Sequence, residues 1–347
     1  MSPAERAPGQ TRHELPGGGA IIEFAKPSPV AEPSPAAFAS AVLPMDGLDD
    51  LELKPREAFC GSWFRQGDLG FIFGARGLGK TWLAMDCARG LAEGRPVGPW
   101  PVTQSRRVLY IDGEMPIDGL RERNQLLRAG AGTLDVLNHE LLFERTEIVL
   151  NLSVKATQDR ITELAMAKHY DVVFLDNLSC LFAGVAENDA DAWEAVLPWL
   201  LTLRRKKIAV VIVHHANRAG TNMRGTSRRE DAAFWMLRLD PVPDQNREGD
   251  GARFVSRFTK NRQGTADETT PLEWHYVTAG DRVQATFKQM QSLDVFRQWL
   301  RDGLTGCGEI AEEMGMTKGA VSKLAKRAER EGWLTISNRS YSLKEGA

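Results

Sequence analysis

Between residues 69 and 213, short unbroken apolar runs alternate with stretches in which apolar residues recur every three or four positions. The runs are Leu69 to Phe73, Val108 to Ile111, Val172 to Leu175 and Ile208 to Val213. Runs this short, with no polar position inside them, suit strands buried on both faces of a parallel sheet. Helical spacing appears in Leu83, Ala84, Cys87, Ala88 and Leu91, from about Ile117 to Ala129, over Gln158 to Lys168, and in Trp193, Val196, Leu197 and Leu200. Pro198 inside the last stripe predicts a kink or a second helix start. Leu141 to Glu144, Arg253 to Thr259 and Leu272 to Val277 read as further strands, and Leu178 to Asp191 as a loop. Strand and helix in alternation predict an α/β fold whose mostly parallel sheet is flanked by helices.

From about Ser292 the rhythm changes. A helical stretch leads to Gly308-Glu309-Ile310-Ala311-Glu312-Glu313-Met314-Gly315-Met316-Thr317, and then to a second helix from Lys318 to Glu331. Thr317 is placed to cap that helix. Val321, Leu324, Ala325 and Ala328 make its apolar face, while Lys323, Lys326, Arg327 and Arg330 share the other. The alternating segment from Trp333 to Leu343, turning at Asn338, predicts a two-stranded wing, so the end of the chain reads as a winged helix-turn-helix. Its basic face suits duplex DNA, with protein docking as the alternative use of such a module. At the other end, residues 1 to about 50 hold eight of the 17 prolines and one short apolar cluster at Ala20-Ile21-Ile22, a composition that predicts a disordered tail.

Composition narrows the class. With 347 residues, 42% hydrophobic and 26% charged, the chain has material for a large α/β domain and a smaller one. No apolar run is long enough to span a bilayer, and no basic patch with an apolar stretch behind it opens the chain, so no membrane partner and a cytoplasmic location are expected. Cys60, Cys87, Cys180 and Cys307 form no C-x-x-C pair and suggest buried, reduced thiols. A net charge of −2 means that nucleic-acid binding would have to come from local basic patches.

One such patch is the glycine-rich stretch Ala219 to Arg229, with Arg218, Arg224, Arg228 and Arg229 close in sequence. It reads either as a solvated loop or as one facing DNA or phosphate.

The densest chemistry follows the first strand. Gly74-Ala75-Arg76-Gly77-Leu78-Gly79-Lys80-Thr81 fits the phosphate-loop pattern GxxxxGK[ST], in the strand-turn-helix context that the pattern requires. Its glycines let backbone amides curl round an anion at a helix N-terminus. Lys80 would reach the β- and γ-phosphates of ATP, and Thr81 would place its hydroxyl on Mg²⁺. Asp176 ends the third apolar run, where it would hold Mg²⁺ through water. Asp112 and Glu114 sit at or just past the end of the second run, the edge of a parallel sheet where ligands bind. Glu114 could polarise the attacking water, or it could cap the helix that follows. His214 and His215 end the fourth run. Neighbours on a strand point to opposite faces, which disfavours a shared metal and favours one histidine as a polar sensor beside the γ-phosphate.

In this order, the parts from about Phe59 to Thr278 resemble the RecA-like ATPases, particularly the DnaB-type replicative helicases and the small plasmid RepA helicases. A pair of histidines stands in RepA-like members where His214 and His215 fall, and DnaB-like members sense phosphate at the position of His215. The stretch Thr259-Lys260-Asn261-Arg262-Gln263-Gly264 is similar to the element whose lysine and arginine enter the neighbouring subunit's site. The resemblance therefore implies a RecA-like core over residues 51–285, ahead of the winged helix read from the residue pattern over 290–347. It implies ATP hydrolysis with Mg²⁺, and Lys260 and Arg262 acting in trans within a ring, typically a hexamer in such families. Single-stranded DNA would pass through the ring and duplex would meet the winged helix. A helicase or helicase loader for a plasmid or other mobile element is the expected role, with an ATP-controlled DNA-binding regulator as its rival.

Overall fold

The computed structural model describes residues 10–14, 20–24, 34–127, 133–182, 190–216, 228–242, 251–314, 316–337 and 340–344. The core alternates strand and helix. β1 (Leu69–Gly74) leads through the glycine turn into α1 (Lys80–Glu93), followed by β2 (Val108–Asp112), α2 (Ile117–Leu127), β3 (Leu134–Asn138) and α3 (His139–Thr146). Then come α4 (Lys155–Ala167), β4 (Val172–Asp176), α5 (Ala190–Arg205), β5 (Ala209–His215), α6 (Arg228–Ala232) and β6 (Trp235–Pro241). Three long strands close the core: β7 (Gly251–Asn261), β8 (Leu272–Ala279) and β9 (Arg282–Gln289).

These strands form one nine-stranded sheet in the order β9-β8-β7-β6-β1-β5-β4-β2-β3. From β6 to β3 all neighbours are parallel, and the outer pairs β6–β7, β7–β8 and β8–β9 are antiparallel. β5 therefore lies between the phosphate-loop strand β1 and the Asp176 strand β4. This is the mostly parallel α/β fold of a RecA-like phosphate-loop core.

Every residue of β1, β2, β4 and β5 is buried, because apolar clusters cover both faces of the sheet. Ile72, Tyr110, Phe174 and Val211 face α1 and α2, while Phe71, Phe73, Leu175 and Ile212 face α4 and α5. This is the period of two expected of a pleated strand between two helical layers. Beyond β6 the helix layer gives way to aromatic packing. Trp63 meets Trp100 and Trp235 edge-on, with ring centroids 5.1 and 4.8 Å apart.

Several expectations need correction. Leu141 to Glu144 is not a strand but the middle of α3, whose cap is Asn138: its side chain accepts from the amides of Glu140 and Leu141, both at 3.1 Å. The strand is the preceding Leu134–Asn138. β6 and β9 carry no clear apolar run and escaped the pattern. α5 continues through Pro198 as one helix, with no second start. In the stretch for which composition predicts disorder, Gln10–Glu14 and Ala20–Phe24 pair antiparallel, flanking Gly17-Gly18-Gly19 in sequence, and Pro35–Ala39 is a short helix capped by Ser34. The β-branched Thr11, Ile21 and Ile22 supply the local strand preference. Cys60 and Cys87 are buried as expected, but Cys180 is exposed and Cys307 half-buried.

The C-terminal part has a separate core. α7 (Ser292–Arg301), α8 (Cys307–Glu313) and α9 (Lys318–Arg330) are followed by the antiparallel hairpin β10 (Leu334–Ser337) and β11 (Ser340–Leu343). Phe296, Leu300, Ile310, Val321, Ala325, Leu334 and Tyr341 pack together at its centre. Helices Ser292–Arg301 and Lys318–Arg330 and the hairpin stand where the periodicity predicts them, and Cys307–Glu313 adds a third helix between the two. Thr317 caps α9 by accepting from the Ala320 amide at 3.2 Å.

Candidate nucleotide site

The phosphate loop leaves β1 where the strand lies close against its neighbour β6. A Cβ on Gly74 would stand 2.7 Å from the carbonyl oxygen of Leu239 on β6, so no side chain fits there. Gly79 has φ +104°, and a Cβ on it would stand 2.6 Å from that of Ala252 and 2.9 Å from the Phe254 ring. A glycine is needed at this position for both conformation and space. α1 starts immediately afterwards, so its first amides open onto the loop. Lys80 is buried and its ammonium donates to the Ala75 carbonyl at 2.8 Å, curling back across the loop. Burial lowers its pKa to about 8, although the charges of Asp176 and Glu114 oppose the shift. A buried cation held by a neutral carbonyl, beside helix amides, fits a polyphosphate.

Asp176 faces this lysine from the end of β4. The Tyr110 hydroxyl donates to its Oδ2 at 2.6 Å, whereas Oδ1 is buried with no hydrogen-bond partner. Burial raises the carboxyl to about 6, and hydrogen bonding from Tyr110 and Thr81 works the other way. An orphaned carboxylate oxygen near the Thr81 hydroxyl fits the hard oxygen donor set that Mg²⁺ prefers. Asp112 has another task. Its Oδ1 accepts from the amides of Glu114 and Met115 at 3.2 Å, and its Oδ2 from the Asn138 amide group at 2.8 Å. It thereby holds the turn that carries Glu114.

Glu114 does not cap α2. The amide of Ile117 donates instead to Glu140 at 2.8 Å. The exposed Glu114 carboxylate accepts from the side-chain amide of Asn177, and the same nitrogen lies 3.2 Å from His215 Nε2. Asn177, the residue after Asp176, thus joins Glu114 on β2's turn to His215 on β5. Its role was not apparent in the sequence, where an amide after a strand carries no spacing signal. His215 is in register with Gly74, and His214 is one position back on the opposite face. Among the described residues no group of three or more His, Cys, Asp or Glu side chains is placed to hold a metal.

Residues 32–221 match the family model described as AAA domain. The chain belongs to this family. A solved structure similar to it is the flagellar accessory protein FlaH from Methanocaldococcus jannaschii, 13% identical, covering 65% of this chain and 91% of that one, with a TM-score of 0.42. No curated protein matches the chain. Membership in the AAA domain family, together with the phosphate loop, makes a nucleoside-triphosphatase the activity class of the chain. No helix among the described residues is long and apolar enough to cross a membrane.

Other expected site residues of this AAA domain protein stand away from the cradle. Lys260 donates to the Glu230 carbonyl, and Arg262 donates to that of Asp231 at 3.1 Å while lying 5.5 Å from the Phe234 ring centroid. Burial and the nearby Arg262 lower the Lys260 pKa. Asn261 pairs with Trp235, which pairs with Gly70, so both cations lie at the entrance of β1 and not at its exit. Four strand positions, roughly 13 Å, separate that level from Gly74. Arg218 and Arg224 lie outside the described residues, as do the side chains of Arg228 and Arg229. Lys323, Lys326, Arg327 and Arg330 are exposed on α9, and Arg327 pairs with Glu331 at 2.9 Å.

Proposed function

We propose that the protein is an ATP-hydrolysing ring motor acting on DNA, a helicase or helicase loader for the replication of a plasmid or similar element. The observation that carries the reading is the division of labour between two edges of one sheet. Lys80, Thr81, Glu114, Asp176 and His215 gather at the exit of the parallel strands, while Lys260 and Arg262 stand at the entrance, out of reach of their own site. In this reading the loop amides and Lys80 would bind the phosphates, and Thr81 and Asp176 would hold Mg²⁺, which would supply charge neutralisation there. Glu114 orients and deprotonates the attacking water, and His215, linked to Glu114 through Asn177, senses the γ-phosphate. Lys260 and Arg262 stabilise the transition-state charge in the neighbouring protomer.

The test combines DNA dependence with subunit mixing. ATP turnover by the wild-type protein should rise when single-stranded DNA is added. Arg262→Ala should bind ATP normally and hydrolyse it poorly, since the arginine acts chiefly on the transition state. Mixing it with Lys80→Ala should restore part of the activity, because an intact phosphate loop can then face an intact Arg262. Full activity of Arg262→Ala, in a protein that stays monomeric with ATP, would remove the ring.

A second reading, an ATP-controlled regulator that binds a duplex site without translocating, is supported by the exposed basic face of α9. Fluorescence anisotropy with duplex DNA should give a log–log salt slope that flattens by about two units in the double variant Lys326→Ala, Arg327→Ala, roughly one for each phosphate that is no longer neutralised. An unchanged slope would point to protein docking by the winged helix. Sequence-specific duplex binding without strand displacement would favour the regulator.

A further inference from the structure

The winged helix is joined to the ATPase sheet by a group of four charges, three buried and the fourth, Asp302, half-buried. Arg238 and Asp240 lie two positions apart on β6, and Arg257 on β7 stands directly across from Arg238. Two arginines facing each other across a strand pair repel unless carboxylates lie between them. Asp240 supplies one, 2.6 Å from Arg238 Nε and 2.8 Å from Arg257 Nε. The other comes from outside the sheet. Asp302, at the C-terminal end of α7, pairs with Arg238 at 3.1 Å and with Arg257. Trp299 of the same helix puts its ring 4.1 Å from the Arg257 guanidinium. A carboxylate at a helix C-terminus is unfavourable for the helix itself, so its value lies in this pairing. Arg238, Asp240 and Arg257 are all buried, and leaving one of them unpaired would be costly.

The clasp also borders the phosphate loop. Leu239, between Arg238 and Asp240, pairs with Gly74 and places its carbonyl oxygen where a Gly74 side chain would be. We infer that the four-charge clasp links nucleotide occupancy to the docking of the winged helix. The docked state holds β6 against the base of the phosphate loop, nucleotide binding favours that state, and by linkage the docked winged helix favours nucleotide. This rests on nucleotide binding at the phosphate loop and is independent of DNA binding.

Hydrogen exchange on the full chain, with and without a non-hydrolysable ATP analogue and Mg²⁺, tests the linkage. In the wild type, nucleotide should slow exchange in α1 and, by about tenfold, in α7 and α9. In Asp302→Asn the protection of α1 should persist while that of α7 and α9 disappears, and Asp302→Glu should restore it. Protection of α1 with no change in α7 and α9 of the wild type overturns the linkage alone, whether or not Asp302→Asn folds. Absence of protection in α1 overturns the nucleotide assignment, and the linkage with it.

Discussion

In Lys80→Ala, ATP hydrolysis should fall to background while the thermal midpoint stays within a few degrees of the wild type. The ammonium of this lysine donates to the Ala75 carbonyl of the loop, so its polar end serves the loop and not the core. Burial already opposes its charge, and alanine is a good residue in a helix. Under the proposed function, what is lost is the cation beside the phosphates, which would bind the substrate and stabilise the charge redistributed over the phosphate oxygens in the transition state. Turnover is read by phosphate release and folding by calorimetry on the same sample. Normal turnover in the folded variant would refute the site.

Glu114→Gln should retain ATP binding and lose hydrolysis by a factor of at least about 10², the loss expected for a missing general base. Glutamine has the same shape and keeps an oxygen to accept the bond from Asn177, so the network should survive while the proton acceptor is gone. Stability should hardly change. The helix-end bond belongs to Glu140, so Glu140→Ala is the substitution expected to cost about 1 kcal/mol of stability with the chemistry spared. Nucleotide binding by fluorescence and turnover on the same two variants separate the roles. A stability loss in Glu114→Gln with hydrolysis intact would reverse the assignment.

These two residues also mark how far the sequence could be read. The phosphate loop was legible because strand, glycine turn and helix are all local, and Asp176 because a buried strand is nearly all apolar. Glu114 could be placed at the sheet edge, but the choice between base and cap depended on Glu140, 26 residues farther on. β6 was missed because Arg238 and Asp240 interrupt its apolar pattern. Their charges are tolerated in a buried strand because Arg257 and Asp302 answer them from β7 and α7, partners that no local window contains. Leu141 to Glu144 misled for the opposite reason: a run of three apolar residues suits either structure, and the Asn138 cap decided for helix. The basic face of α9 was legible because its period needs no outside partner.

Under the proposed function, the placement of Lys260 and Arg262 at the opposite end of β1 from the phosphate loop would make each chain a polar unit with two unlike half-sites. A lone chain would then have no complete site, an open row of n chains would have n−1, and closure of the row would add one more without adding a chain. Specific activity would therefore rise steeply with protein concentration and level off once the row closes. A chain lacking its arginine would silence one site in an assembly, and so would a chain lacking its lysine, but on opposite sides of the chain that carries the change.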